Sequence, residues 1–164
     1  MSIPNQAREF AIAKHGTQKY GEHPYSHHLA QVSQVISEFG YAADEAIAAA
    51  GWLHDTLEDT ETTYSMLVSE FGKETADIVL AVTNEPGGNR ENRFRKTALK
   101  IQSNKKALIV KLADRIANTE ASLKTNPKLY KMYVKEFLLF KELLYNPQDI
   151  QLMPMWNSLE SLNK

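Results

Sequence analysis

Apolar residues recur at helical spacing along most of the chain. From Tyr25 to Gly40 one stripe is apolar apart from a single histidine, and it comprises His28, Leu29, Val32, Val35, Ile36 and Phe39. The same spacing predicts helices after Pro4, over 45–53, 63–71, 73–82, 91–101, 105–122 and 127–145, and near 152–162. Segments rich in glycine or proline separate them at Gly16, Gly21–Pro24, Gly72 and Glu85–Asn89.

The pattern predicts one helical domain. Residues 107–112 are apolar and partly β-branched, so a strand is conceivable there, but the pattern continues through 118 and favours a buried helix. No Gly/Ser linker, internal repeat or low-complexity tract divides the chain. Its 164 residues are enough for one sizeable core. We therefore predict an all-α fold, a single-domain helical bundle over residues 1–164.

Composition excludes several function classes. The formal net charge is −1, which gives no overall attraction to nucleic acid or to an anionic membrane. Cysteine is absent, and this excludes disulfides, thiolate metal sites and a cysteine nucleophile. No apolar run approaches the ~20 residues that cross a bilayer, and the first residues lack the features of a signal peptide. We expect a cytoplasmic protein.

A histidine and an aspartate, His54 and Asp55, stand side by side at the end of a predicted helix that Asp44 can cap. Neighbouring side chains on a helix diverge by ~100°, so this pair can bind one metal ion only if other helices supply further ligands. Asp114 is the best candidate, because it lies among apolar residues where an unpaired carboxylate is costly to bury. Alone, a His-Asp dipeptide is more often structural, and Asp114 could cap a helix or pair with Arg115.

The remaining ligand is expected to be one of the five histidines. His28 lies on the apolar stripe of its helix, whereas His27 is rotated away from it. Two histidines and two carboxylates suit a six-coordinate ion such as Mn²⁺, Fe²⁺ or Mg²⁺ better than a closed structural zinc site. Because no histidine follows His54, the sequence favours a single metal ion.

Glu58 and Asp59 follow the His-Asp pair and are the candidate proton acceptors. Glu58 lies four residues after His54, one helical turn further on, and therefore on the same helix face. Its expected role is to take the proton of a metal-activated water or to orient that water, with Asp59 assisting. The alternative is that both are ordinary solvent-facing acids.

Cations for phosphate binding are concentrated at residues 90–106, where Glu91 is the single acid. Arg90 and Arg93 lie nearest the Gly-rich loop, which could move over a ligand, and are the preferred phosphate contacts. Lys14 and Lys19 are secondary candidates. Most of the basic run could equally be a solvated helix face. It has no stacking aromatics beyond Phe94, which disfavours nucleic-acid binding.

Two motifs together resemble the HD-domain superfamily and, within it, the hydrolase domain of the RelA/SpoT homologues, above all the small stand-alone alarmone hydrolases. They are H-D-x-x-E-D at His54–Asp59 and K-L-A-D-R-x-x-N at Lys111–Asn118. His15 with Gln18, and Pro24-Tyr25 followed by His28, match as well. The resemblance extends over residues 7 to 118, about two thirds of the chain.

The resemblance implies an HD-type helical fold, one Mn²⁺, and removal of pyrophosphate from the 3′ position of a guanosine alarmone such as (p)ppGpp, the nucleotide of the stringent response. It makes Glu58 and Asp59 the pair that activates the water, and Asn118 a polar residue on the substrate side. The metal ligands that it implies are His28, His54, Asp55 and Asp114.

Three positions depart from the family pattern. Ala13 stands where the family commonly has an arginine that packs against the purine, Thr17–Tyr20 replaces the usual Gly-Gln-x-Arg, and Leu29 replaces a proline. We therefore expect the metal chemistry to be shared more closely than the recognition of the base.

The leading hypothesis is a mononuclear metal-dependent (pyro)phosphohydrolase of a small nucleotide, either (p)ppGpp or an adenosine counterpart. A phosphatase acting on a 5′-nucleotide or NADPH is the second. A non-catalytic nucleotide sensor is the third, and it is disfavoured because every proposed ligand is present. The apolar stretch 152–156 could cover the core or a second copy in a homo-oligomer.

Overall fold

The computed structural model describes residues 1–164, and nearly all of the regular structure is helical. The helices are α1 (Ile3–His15), α2 (Tyr25–Glu38), α3 (Glu45–Leu53), α4 (Thr56–Asp59), α5 (Tyr64–Phe71), α6 (Lys73–Val82), α7 (Arg90–Gln102), α8 (Lys105–Thr125), α9 (Pro127–Leu144) and α10 (Met153–Leu162). A 3-10 turn, Ile150–Leu152, precedes α10. The predicted all-α class is confirmed, and residues 107–112 are helical rather than a strand.

Short polar side chains fix where the helices begin. The Asp44 carboxylate accepts a hydrogen bond from the Ile47 amide at 3.1 Å, which confirms the predicted cap of α3. The Asn104 side-chain oxygen does the same for the Ala107 amide at 3.1 Å. This second cap sets the start of α8, the longest helix.

Helix α8 lies at the centre of the core and packs against α2, α3, α6, α9 and α10. Its buried residues occupy more than one face, as expected for a helix with neighbours on several sides. Helices α2 and α3 approach closely at Gly51, where an added Cβ would lie 2.5 Å from Ile36 Cδ1. The close approach brings the residues at the end of α3 near those of α2 and α8.

Residues Gly21–Pro24, predicted as a loop, belong instead to a small antiparallel hairpin. Strand β1 (Lys19–Tyr20) pairs with β2 (His23–Pro24), with Tyr20 opposite His23. Gly21 has a φ of 59°, a left-handed conformation that glycine adopts without a Cβ clash in tight turns. The hairpin directs Tyr20 toward α2.

The prediction that Glu58 lies on the same helix face as His54 is wrong. Helix α3 ends at Leu53, and a new short helix begins at Thr56, whose hydroxyl donates to the Leu53 carbonyl at 2.7 Å. Asp55, between the two, has φ −103° and ψ 0°, outside the usual helical values. His54 and Glu58 therefore do not share one helix face.

The C-terminal apolar stretch covers the chain's own core. Leu152, Met155 and Trp156 are buried, and α10 packs against α8. None of the helices is both long enough and apolar enough to cross a membrane.

Candidate active site

The four predicted metal ligands lie together at the point where α2, α3 and α8 meet. His28 Nε2 lies 3.1 Å from Asp114 Oδ1 and 3.7 Å from Asp55 Oδ2. His54 Nε2 lies 3.0 Å from Asp55 Oδ2 and 3.3 Å from Asp114 Oδ1. Both imidazoles are buried. Residues far apart in sequence thus present two nitrogens and two carboxylate oxygens to one point.

The break between α3 and α4 is what brings Asp55 into this group. On a continuous helix the side chains of adjacent residues point ~100° apart. Because the backbone leaves the helical conformation at Asp55, its carboxylate can turn toward the imidazole of its neighbour, His54. His28 comes from the first turn of α2, and Asp114 comes from the middle of α8.

The hydrogen bonds of His54 fit a metal ligand. Its Nδ1 lies 2.8 Å from the Gly51 carbonyl oxygen, which can only accept, so Nδ1 carries the proton. In the neutral ring Nε2 is then an acceptor. This atom is buried without a hydrogen-bond partner and faces the oxygens of Asp55 and Asp114. A cation satisfies such a set of acceptors.

The spacing of the donors also fits a metal ion. Adjacent ligands of a six-coordinate ion, each at about 2.1 Å from it, lie ~3.0 Å apart. The ligand atoms of His28, His54 and Asp55 lie within 4.8 Å of one another. Asp114 is not within 4.8 Å of all three of these ligand atoms. Its Oδ1 nevertheless lies within 3.3 Å of both imidazoles, and for that reason we count it among the proposed ligands.

Neighbouring side chains hold both carboxylates. The Tyr25 hydroxyl donates to Asp55 Oδ2 at 2.6 Å. Asn118 donates through Nδ2 to Asp114 Oδ1 at 2.9 Å and accepts from the Tyr20 hydroxyl at 2.7 Å. Such bonds to ligand side chains fix their orientation in metal sites. Asn118, expected on the substrate side, thus also supports Asp114.

The site favours one added positive charge. Burial opposes the charged form of His54, but Asp55 and Asp114 outweigh it and raise the pKa of His54 well above its usual value. Burial likewise opposes ionisation of Asp55, yet the His54 imidazole beside it lowers the pKa of Asp55 to about 2. For Asp114, the His28 and His54 imidazoles close to its carboxylate outweigh burial and hold its pKa well below the usual value. A proton and a metal ion therefore compete for this site.

Glu58 faces the same site from α4. Its Oε1 accepts the Asn84 backbone amide at 2.6 Å. Burial raises the pKa of the Glu58 carboxyl, and the nearby charge of Asp55 raises it further. The hydrogen bond from the Asn84 amide lowers this pKa and offsets part of the increase. A carboxylate with a raised pKa is a better proton acceptor near neutral pH.

Asp59 points elsewhere. Its Oδ2 accepts from Gln18 Nε2 at 3.0 Å, and Gln18 Oε1 pairs with His15 Nδ1 at 2.8 Å. Asp59 does not line the cavity described below. Asp59 thus lies outside the group of residues that lines the cavity with Glu58, and its assistance to Glu58 stays a prediction.

A cavity of about 250 Å³ opens over the four ligands and Glu58. The rest of its lining combines cations, amides, phenols and two valines: Tyr20, Tyr25, Val82, Asn84, Arg90, Val110, Lys111, Arg115, Asn118 and Tyr133. A side cavity of about 70 Å³ shares Asn84, Arg90, Lys111 and Arg115 with it and adds Arg93, Phe94 and Glu136. Acidic residues and three cations, Arg90, Lys111 and Arg115, therefore line the same cavity.

The structure places two of the four predicted phosphate contacts, Arg90 and Arg93, at the cavities and the other two elsewhere. Arg90 lines both cavities, and Arg93 lines the side cavity, where its Nη1 also donates to the Gly88 carbonyl at 2.7 Å. Lys14 and Lys19 are exposed and line neither cavity, so the structure does not support them as substrate contacts. Lys14 instead lies over the Phe10 ring.

Other basic residues of the segment 90–106 lie outside both cavities, in keeping with the alternative hypothesis of a solvated helix face. Lys100 pairs with Glu85 at 2.8 Å, and Lys105 pairs with Asp149 at 3.2 Å. These contacts join α7 and α8 to neighbouring segments and lie outside both cavities.

Sequence reasoning missed several residues that line the cavity. Lys111 Nζ lies 3.6 Å from Asp114 Oδ2, one helical turn away, and its i, i+3 spacing from Asp114 was the available signal. Tyr25 and Arg115 also line it; both belong to motifs that match the family pattern, but neither was assigned a role. Tyr133 lines it as well, and nothing in its local sequence distinguished it from a core residue.

A family model described as "HD domain" matches residues 7–143. A guanosine-3′,5′-bis(diphosphate) 3′-pyrophosphohydrolase of Aquifex aeolicus is 37% identical over 121 residues, covering 70% of this chain and 17% of the relative. The protein of the same name designated MESH1 in Xenopus tropicalis is 32% identical over 130 residues, covering 75% of this chain and 71% of that relative. The chain thus spans less than a fifth of the Aquifex protein but most of the Xenopus protein.

The fold has a close counterpart among solved structures. One, described as a metazoan ortholog of SpoT that hydrolyses ppGpp, superimposes with a TM-score of 0.77 at 22% sequence identity and covers 99% of this chain and 94% of its own. At that identity the likeness shows a common fold. Together with the sequence matches, it confirms the predicted resemblance: the chain belongs to the HD-domain family and is a relative of the MESH1 proteins.

Proposed function

We propose that this protein is a divalent-metal-dependent hydrolase that removes the 3′-pyrophosphate group of guanosine-3′,5′-bis(diphosphate) or a closely related alarmone. The observation that carries the proposal is that the imidazoles of His28 and His54 each lie 3.0–3.7 Å from the carboxylates of Asp55 and Asp114, in a cavity that Glu58 and several cations also line. The names of the relatives from Aquifex and Xenopus supply the substrate.

His28, His54, Asp55 and Asp114 are the proposed ligands of one divalent ion, with Mn²⁺ preferred and Fe²⁺ or Mg²⁺ as alternatives. When bound, such an ion supplies a Lewis acid that lowers the pKa of a water molecule and polarises a phosphoryl oxygen. The mixed imidazole and carboxylate set is the chemical support for this choice.

Glu58 accepts the proton of the attacking water. Its carboxylate lines the cavity together with the ligands, and its raised pKa suits proton transfer near neutral pH. The water oxygen bonds to the phosphorus attached to the ribose 3′ oxygen, and the bond between that oxygen and phosphorus breaks. Pyrophosphate and the 5′-diphosphate nucleotide are the products, and the 3′ oxygen leaves with a proton from solvent.

The cations that line the two cavities bind the remaining phosphates. Arg90, Arg93 and Lys111 provide the donors, and Arg115 adds positive charge. Asn118 retains the substrate-side role implied by the family motif. A substrate with phosphates on two ribose positions matches a cavity that is lined both by the proposed metal ligands and by several cations.

The test is to incubate Mn²⁺-loaded protein with ppGpp, pppGpp, ppApp, 5′-nucleotides and NADPH and to identify the products. Pyrophosphate release from a 3′-pyrophosphorylated nucleotide is the expected result, and comparison of ppGpp with ppApp identifies the base. Orthophosphate release from another substrate, or no turnover, would overturn the proposal. The cytoplasmic location, the single domain over 1–164 and a homo-oligomer stay predictions.

A further inference from the structure

We propose that Glu136 is a positioning residue, which holds Arg90 in the orientation that binds phosphate. This inference rests on the proposed function, because it assigns Glu136 a part in binding the substrate's phosphates. Glu136 lies on α9, distant in sequence from every motif that indicated the site. Its carboxylate bonds to Arg90 through both Nε and Nη2, the latter at 3.2 Å, and to Arg115 Nη1 at 2.9 Å.

Arg115 provides the fixed end of this arrangement. Its side chain is only 9% exposed, and its guanidinium lies 4.9 Å from the Tyr133 ring centre and 4.7 Å from that of Phe140. A guanidinium packed between two rings and paired with a carboxylate has little freedom to move. Glu136 is therefore anchored by a buried partner.

Arg90 is the mobile partner. It is the first residue of α7, directly after the segment that contains Gly87 and Gly88, and its side chain is 52% exposed. A long side chain in that position samples many rotamers unless a partner restricts them. The two-point bond to Glu136 provides the restriction, because it fixes the plane of the guanidinium as well as its distance.

The fixed guanidinium still has donors for a ligand. An arginine side chain carries five N–H groups, and Glu136 uses one on Nε and one on Nη2. The remaining three stay available on the residue that lines both cavities. Glu136 also leaves the side cavity positive, since one carboxylate faces Arg90, Arg93, Lys111 and Arg115. The carboxylate thus orients a cation without cancelling the attraction for phosphate.

The test measures pyrophosphate binding by calorimetry and ppGpp hydrolysis with Mn²⁺-loaded protein. The variants are Glu136→Gln, Arg90→Ala, the double variant and Arg90→Lys. Glu160→Gln is the matched control, since Glu160 pairs with Lys141 at 3.3 Å on a surface away from the cavities. Glu136→Gln should weaken pyrophosphate binding and raise KM roughly 3- to 10-fold, with kcat nearly unchanged. The control should match the wild type.

The double variant separates positioning from a general structural role. If Glu136 acts through Arg90, Glu136→Gln adds nothing once Arg90 is alanine. An equal loss in both backgrounds would mean that Glu136 acts through Arg115, and tighter pyrophosphate binding by Glu136→Gln would mean that it competes with phosphate; either overturns the proposal. Failure of the wild type to bind pyrophosphate also overturns it.

The proposal can still be tested if Glu136→Gln unfolds or if ppGpp is not hydrolysed. If Glu136→Gln unfolds, Arg90→Lys replaces it, because lysine keeps the charge but cannot make the two-point bond; wild-type binding by Arg90→Lys would overturn the proposal. If pyrophosphate binding follows the expected pattern but ppGpp is not hydrolysed, the role of Glu136 stands and the proposed function fails.

Discussion

Tyr25→Phe tests whether the hydrogen bond to Asp55 supports a metal ligand. The substitution removes one hydroxyl, which lies 2.6 Å from Asp55 Oδ2, and leaves the ring that stacks on His15 at 4.6 Å. A hydrogen bond to a charged group contributes about 1.5–3 kcal/mol. Loss of a partner that orients a metal ligand typically weakens metal binding about 10- to 100-fold, which is about 1.4–2.7 kcal/mol.

The two ranges overlap, so we expect the Mn²⁺ dissociation constant of Tyr25→Phe to rise at least about 10-fold. Competition with a fluorescent chelator measures this constant directly. Thermal unfolding gives a second readout: at a metal concentration of about 100 Kd for the wild type, bound metal stabilises by about 2.7 kcal/mol, and a 10-fold weaker site retains about 1.4 kcal/mol.

Tyr64→Phe is the matched control. Its hydroxyl donates to Asp77 Oδ1 at 2.7 Å, a bond of the same kind outside the cavity. It should leave metal affinity unchanged. If Tyr25→Phe binds Mn²⁺ as tightly as Tyr64→Phe does, then the hydroxyl does not orient Asp55 for metal binding, and the reasoning is refuted.

Four other predictions concern the ligands, proton transfer, phosphate binding and the core. Asp55→Ala should lose both metal and turnover, whereas Glu58→Gln should lose turnover and keep metal; hydrolysis unchanged in both, measured beside metal content, would contradict the mechanism. The pKa of His54 is raised in the folded protein, so the metal-stripped protein keeps a charged imidazolium there. This charge stabilises the folded state fully below pH 6.5, and the stabilisation is lost as the pH rises through the pKa of His54 in the folded protein. Mn²⁺ must displace that proton, so its affinity should increase with pH above 6.5, and a pH-independent Kd in calorimetry would count against the assignment. Arg93→Ala should raise KM more than it lowers kcat, and an unchanged KM would make Arg93 a surface residue. Phe140→Ala removes a fully buried ring and leaves a cavity in the core. It should lower the free energy of unfolding by about 3–5 kcal/mol in urea titrations, and an unchanged free energy would contradict the close packing of this ring.

The helical class, most helix boundaries and the four clustered residues could be predicted from the amino-acid sequence alone. Local rules were sufficient for the boundaries, since caps such as Asp44 act within one turn. The proposed ligands could be picked out because chemically costly residues, such as Asp114 in an apolar segment, need a partner. His28 followed from helical phase, which set it apart from its neighbour His27.

Tertiary structure decided what depends on distance between segments. The break at Asp55 lies between α3 and α4, and because of it Glu58 does not share the helix face of His54 that the sequence predicted. Packing of α9 against α7 and α8 brought Glu136 to Arg90 and Arg115, although no motif marks it. Lys14 and Arg90 are both exposed basic residues, and only the packing of the helices placed Arg90 alone at the cavity. Local sequence encodes helix phase and caps, whereas the meeting of side chains from separate helices depends on how the whole core packs.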